Sequence, residues 1–347
     1  MKWRQVAVWL VLLTVVLAGC GKDDDPSSDD PSKKGNSVGK KTTYYAPLTG
    51  LETEEEMTEP PVVATISNDP KARPQSGLKE ADYSYEFLVE GGGTRYVSIY
   101  QSEMPPVIGP IRSARHYFLP IARDIGGFYI AHGYSPYAKK KLDEHYVDHI
   151  NGMQHDGTLF FRSAERRAPH NSYMTKSSVE DAILRERVSD KWSRPVALPF
   201  YQEDERENIT VDAPHFTVRF DDDHAQYVTS YTFDETEGVY TRSVGGIEEI
   251  DATSGERTAY ANVLVITAPY TTIDAESRKD VILTGGQEGY LFQNGTYERV
   301  TWIYDKGIVQ PMKDGQEVPF ERGKTFVHVV PQKWSIDQFV TIPLPIE

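Results

Sequence analysis

Apolar and polar residues alternate along Asp82 to Glu90. Tyr83, Tyr85, Phe87 and Val89 fall on one side, and Asp82, Ser84, Glu86, Leu88 and Glu90 on the other. A period of two predicts a strand. Pro61 to Ser67 (PVVATIS) reads as a short buried strand that ends at Asn68-Asp69-Pro70, and Lys71 to Gly77 follows as a loop carrying Arg73. Strands are also predicted over Thr94 to Ser102 and Gly127 to His132. Ser135-Pro136 then forms a cap and first-turn pair for a helix over Tyr137 to His149. Ser113 is placed to cap a helix that Pro120 kinks or restarts. Ser177 to Glu180 (SSVE) fits a capping box for a helix whose core face is Val179, Ile183 and Leu184.

From about Ile209 the texture changes to short alternating strands and turns. Phe216 to Phe220, Tyr227 to Phe233, Val239 to Arg242, Ala261 to Thr267, Tyr290 to Gln293, Tyr297 to Tyr304 and Thr325 to Val330 are predicted strands. Asn294-Gly295 and Asp314-Gly315 carry strong hairpin chemistry. The expected fold class is α+β: an N-terminal mixed α/β domain over 43–200, then a mostly antiparallel β domain over 208–347, as a sandwich or open barrel.

The first forty residues lie outside this pattern. Lys2 and Arg4 precede an apolar run from Val6 to Ala18, too short to span a bilayer comfortably. Leu17-Ala18-Gly19-Cys20 follows in the form of a bacterial lipobox, so residues 1–20 are read as a lipoprotein signal peptide. The alternative is a buried thiol behind an uncleaved anchor. Lipidation of Cys20 by diacylglyceryl and acyl chains supplies the two chains that stable anchoring needs, and the expected location is the outer face of the cell membrane. Residues 21–42 are polar and low in complexity, unable to repay the cost of ordering, and are expected to form a disordered tether. Cys20 is the chain's single cysteine, so no internal disulfide is available.

The net charge of −15 over 347 residues argues against general nucleic-acid binding, since backbone phosphates would be repelled. That acidity is reversed between Gly91 and Arg123, which hold Arg95, Arg112, Arg115 and Arg123, no lysine and a single acid, Glu103. Arginine without lysine points to planar, two-pronged contact with carboxylate or phosphate. A second basic group, Arg162, Arg166 and Arg167, precedes Pro169-His170-Asn171. The candidate anion-binding set is Arg73, Arg95, Arg112, Arg115, His132, Arg162, His170 and Asn171, with Glu86 and Glu90 as supporting acids. Glu86 and Glu90 are four residues apart on a strand, ~13 Å, too far for a paired-carboxylate catalytic device. Two readings of the arginines stand side by side: a cradle for an anionic ligand, or an internal ion network with Glu86, Glu90 and Asp124.

His145 and His149 stand four apart on the expected helix, a spacing that can hold zinc, but their flanks are charged and no HExxH motif is present. No metal or cofactor is expected.

These residues together resemble the YerB-like lipoproteins of Gram-positive bacteria. The likeness runs from about Tyr44 to the C-terminus. It rests on ARPQSGL (Ala72 to Leu78), the stretch Ala81 to Arg95, IGPIRSAR (Ile108 to Arg115), APHN (Ala168 to Asn171), ANVLV (Ala261 to Val265) and Gly285 to Gly295. The resemblance implies two adjoining domains and a lipid anchor, and no established activity. The Arg95 to Arg115 layout is also similar to that of the LytR-CpsA-Psr cell-wall transferases, which suggests a ligand class. Three functions follow: a binding protein for an anionic cell-wall glycan or lipid, a non-catalytic scaffold for another envelope protein, or a hydrolase or transferase acting on wall material. The chain has no GxSxG motif and no reactive cysteine to favour the last.

Overall fold

The strand patterns assemble chiefly into one large twisted sheet. The computed structural model describes residues 43–202, 212–333 and 335–343; the leader, Cys20 and the tether lie outside the described residues. Eleven strands pair in the order Gln316–Glu317, Ile308–Lys313, Thr296–Asp305, Glu288–Gln293, Asn262–Ala268, Thr325–Pro331, Tyr83–Leu88, Thr94–Tyr100, Val62–Ser67, Phe128–Ala131, His149–Asn151. Strands from the two halves of the sequence meet in parallel where Thr325–Pro331 lies beside Tyr83–Leu88. Thr325–Pro331 also runs parallel to Asn262–Ala268 on its other side.

The alternation read from the sequence decides what each face carries. Tyr83, Tyr85, Phe87, Val97, Ile99, Val327 and Val329 build one core with the helix Leu119–Ile125. The sheet coils over this face without closing: Tyr83 and Tyr85 hydroxyls donate to the carbonyls of Val309 (2.6 Å) and Gly307 (2.9 Å), five strands away in the order. The opposite phase, with Ile66, Tyr96, Tyr100, Val263, Val265 and Phe326, builds a second core.

Covering that second core is an antiparallel sheet of six strands, in which Ile247–Glu248, Val239–Val244, Thr229–Asp234, His215–Val218 and Val340–Thr341 are neighbours and Ala259–Tyr260 adds to Val239–Val244. Phe216 of this sheet stacks on Phe292 of the large one, with ring centroids 3.6 Å apart. This is sheet-on-sheet packing, between a sheet of C-terminal strands and a large sheet that draws strands from both halves of the sequence. A small sheet of Val107–Ile108, Ser172–Thr175 and Phe161–Arg162 and the helix Lys176–Glu186 cover the rest of the face.

Local signals hold with shifts. Ser135 caps Pro136–Asp143, its hydroxyl accepting from Ala138 N. Asn294-Gly295 and Asp314-Gly315 each take positive φ at both residues, as a type I′ hairpin turn requires. Three expectations are corrected. The helix after Ser135 stops at Asp143, leaving His145 with φ 53° outside it and His149 at the start of a strand, so the four-residue helical histidine pair does not form. Thr175, not Ser177, caps the helix Lys176–Glu186. Ser113 caps nothing: its helix begins at Leu119 and takes Pro120 in the first turn, where a missing N–H costs no helical hydrogen bond.

Candidate functional site

Ile111 to Arg115 is extended and threaded between strand ends. Arg112 N donates to Thr65 O (2.8 Å), His132 N to Arg112 O (3.0 Å) and Ala114 N to Gly133 O (3.0 Å). The backbone that presents the arginines is therefore tied to the exits of Val62–Ser67 and Phe128–Ala131. Gly133 must stay bare, since its φ is +90° and a Cβ would meet Ser113 Oγ at 2.7 Å.

Arg115 is buried, and its fork grips Glu90: Nε donates to Oε2 at 3.0 Å and Nη2 to Oε1, while Nη1 donates to Ala114 O at 2.9 Å. Burial pushes the Glu90 carboxyl up, but the hydrogen bonds and charge of Arg115 outweigh it and hold it below its ordinary value. Arg95 is also buried and donates to Ser113 O at 2.8 Å, with no carboxylate in contact among the described residues. Burial first, then the neighbouring charges of Arg115 and Arg112, lower it to about 9. Arg112 is half-buried, and among the described residues its guanidinium makes no hydrogen bond or ion pair. Burial and Arg115 lower it too, against the attraction of Asp69 and Glu90.

A second set adjoins this one. Arg162 donates through Nε to Asp156 (3.0 Å to Oδ2), through Nη1 to Asn171 Oδ1 (3.1 Å) and through Nη2 to His132 Nε2 (2.9 Å). Since Nε2 accepts, the His132 proton sits on Nδ1, which donates to Ser172 Oγ at 2.6 Å. Burial and then Arg162 lower the His132 pKa, so the ring is neutral at pH 7. A serine activated as a nucleophile donates to its histidine; Ser172 accepts instead and is itself buried, so this pair is arranged for structure. The two sets touch through Ser113, whose hydroxyl donates to His132 O at 3.1 Å. His170 stands beside Asp69, Nδ1 to Oδ1 3.9 Å, with its pKa lowered chiefly by burial.

Arg73 and Glu86 belong elsewhere. Arg73 reaches the C-terminal half of the chain, donating to Gln226 O (2.8 Å) in the turn before Thr229–Asp234 and to Val244 O (3.5 Å) of the six-stranded sheet, and, on its own side, to Asn68 Oδ1 (3.0 Å) and Asn68 O (2.7 Å). Glu86 lies fully buried between the two sheets, where strand register builds a polar cluster. Pairing puts Glu86 beside both His328 and Tyr96, and Arg242 beside Tyr231 on the facing sheet. Arg242 donates to both oxygens of Glu249 at 2.9 Å, to Glu86 at 3.1 Å and to Tyr96 OH at 3.0 Å. Its guanidinium also lies 4.1 Å from the Phe326 ring centroid. Asn68 (2.9 Å) and Thr94 (2.6 Å) satisfy the other oxygen of Glu86. Sequence reasoning missed Arg242, Glu249 and His328. A signal existed for one: Tyr240, Arg242 and Val244 share the inward phase of an alternating strand, which places an arginine in the core.

Comparison with known proteins matches two stretches of the chain to one family. Residues 48–189 match the N-terminal domain, and 216–327 the C-terminal domain, of the protein family of unknown function DUF3048. The chain belongs to this family. It is 35% identical over 331 residues to the Bacillus subtilis (strain 168) protein named "Putative lipoprotein YerB", covering 95% of this chain and 96% of that one. The crystal structure of the Bacillus subtilis YerB protein superposes with a TM-score of 0.79, at 35% identity, over 86% of this chain and 99% of that chain. The resemblance read from ARPQSGL and IGPIRSAR is thus a family membership, and the α+β class holds for the family. Within ARPQSGL the structure supplies a reason for the loop's shape: the amides of Gly77 (2.5 Å) and Leu78 (3.1 Å) both donate to the buried Asp251 carboxylate.

Proposed function

We propose that this protein is a lipid-anchored protein of the outer face of the cell membrane that binds an anionic, phosphate- or carboxylate-bearing envelope ligand through Arg112, backed by Arg95 and Arg115. The anchor is read from the LAGC sequence ending at Cys20 and from the name of the Bacillus subtilis relative. No helix of the described residues is long and apolar enough to cross a membrane.

One observation carries the ligand reading. Arg112 is a half-buried guanidinium with no partner among the described residues, set beside the buried Arg115, which holds Glu90, and the buried Arg95, which among the described residues touches no carboxylate. Burying cations against each other costs free energy that an incoming anion offsets. The two-pronged geometry of guanidinium favours planar oxyanions. His132, Arg162, His170 and Asn171 form the flank of this site and are proposed to shape it rather than to react.

Isothermal titration with phosphorylated wall fragments tests the reading. Heat is expected from the wild type and a loss of about tenfold in affinity from Arg112→Ala, the size of one charge-assisted contact. Equal heats from both proteins would sink it. The anchor is tested separately: Cys20→Ser is expected to move the protein from membranes to the soluble fraction.

A non-catalytic scaffold that binds another envelope protein is the second reading. It is favoured by the internal engagement of Arg73, Arg115 and Arg162, whose donors are largely occupied by this chain's own oxygens. Recovery of a stable partner that Arg112→Ala still binds would select it.

A further inference from the structure

Tyr83–Leu88, Thr325–Pro331 and Asn262–Ala268 run parallel and side by side, so their carboxyl ends lie together at one edge of the large sheet. Each chain turns away there: into the glycines after Glu90, into Gln332-Lys333, and into the hairpin of Tyr270–Thr272 with Lys279–Val281. Divergence of adjacent parallel strands leaves a crevice beyond their carboxyl ends, the position that ligands take in open α/β sheets. A cavity of about 590 Å³ occupies that crevice. Its apolar wall is Leu88, Phe220, Pro269, Tyr270 and Pro331.

Two features give this cavity a chemistry. The first is Tyr270, whose hydroxyl is turned into the sheet, donating to Val329 O at 2.6 Å and accepting from Leu88 N at 3.3 Å. With that oxygen committed, the side chain offers the cavity its ring and not its hydroxyl. The second is charge. Lys279 lines the cavity, and among the described residues its ammonium contacts only the Thr272 hydroxyl, at 2.9 Å, and no carboxylate. Asp221 also lines the cavity, but its carboxylate is turned to His224, accepting from Nδ1 at 2.8 Å, and the adjacent Asp280 is hydrogen-bonded to His116 (2.9 Å).

We infer that this cavity is a second binding site, distinct from the Arg112 site, for a small saccharide carrying a carboxylate or phosphate. The sugar's flat C–H face lies against Tyr270 and the prolines, and its anionic group meets Lys279. An apolar wall that presents an aromatic ring beside an unneutralised cation fits a ligand that is apolar on one face and negative at one end.

Saturation-transfer NMR on the full chain, with glucuronate and glucose at equal concentration, tests this. Thermal melting of each variant verifies folding. Ring-proton saturation is expected for glucuronate and is expected to be several-fold weaker for glucose. Lys279→Ala should weaken glucuronate binding about fivefold, the size of one partly screened charge contact. Thr272→Trp, at the exposed rim, should abolish the signal by filling the space. Arg112→Ala should leave it unchanged, so failure here is separable from failure of the arginine reading. Glycerol phosphate against glycerol, run the same way, distinguishes a phosphate-bearing ligand from a uronic acid. No transfer from either anion to the wild type, or equal transfer to wild type and Thr272→Trp, overturns the assignment.

Discussion

Replacing Arg242 by leucine is expected to be the most damaging single change among the polar groups. The guanidinium is fully buried and holds two carboxylates, Glu86 and Glu249, at 2.9 to 3.1 Å. Leucine fills part of the volume but leaves both acids in the core. Glu86 keeps Asn68 and Thr94, and Glu249 keeps Thr258, so neither is bare, yet among the described residues no other cation touches Glu249. Breaking a buried pair from one side costs about 3–5 kcal/mol. For a folded unit of about 300 residues, with an unfolding entropy near 2 cal/mol/K per residue, that lowers the melting temperature by roughly 5–8 °C.

The pH dependence has a definite sign. In the wild type, burial pushes the Glu86 carboxyl up, but His328 and Arg242 outweigh it and hold it low. Its contribution is therefore present above the unfolded value of about 4.3 and is lost as pH falls through the lower folded value. Without Arg242 the same burial raises the Glu86 carboxyl, and its penalty grows as pH rises through the raised value. The gap between wild type and variant should narrow from pH 7 to pH 4. Urea unfolding at the two pH values measures it. A deficit under about 1 kcal/mol at pH 7, or one independent of pH, would refute the reasoning. Converting Glu86 and Glu249 to glutamine in the same protein should restore much of the loss, because no uncompensated charge remains.

Glu90→Gln is expected to loosen the Arg115 fork and raise phosphate affinity at the arginine site, read by isothermal titration. The Glu90 carboxyl is held low, so its stabilisation exists above the unfolded pKa and disappears as the solution is acidified. The variant's urea midpoint should accordingly change less between pH 6 and pH 3.5. Gly152→Ala should cost about 1–3 kcal/mol by chemical denaturation, because a Cβ there falls 2.2 Å from His132 Nδ1, in a ring anchored on both nitrogens. Phe216→Ala removes the ring stacked on Phe292 and should cost about 3–5 kcal/mol, visible as a matching fall in melting temperature.

Much of the fold was legible because its signals are local. Alternation over Asp82 to Glu90 placed the central strand within two residues, Ser135-Pro136 placed a helix start, and two Asx-Gly turns placed two hairpins. The misread helix after Asp143 shows the limit: the residues that follow keep helical composition, but Val147 and Ile150 bury better once the chain turns to form a sheet edge. The arginine-rich stretch was visible as a reversal of charge. Which arginine would be left without a partner was not, because that depends on where Glu90, Ser113 and Asp156 come to rest.

Sequence alone determined the phase of each strand, hence which side chains point to a core, and the family to which the chain belongs. Tertiary structure alone decided that a strand near residue 85 and one near residue 328 lie side by side. That parallel pairing joins segments more than 200 residues apart, and no local preference encodes a partner at such separation. Register then set Glu86 against His328 and, across the sheets, against Arg242. A charge that looked like a partner for Arg112 and Arg115 became part of the core because burial and hydrogen bonding are properties of the assembled sheets.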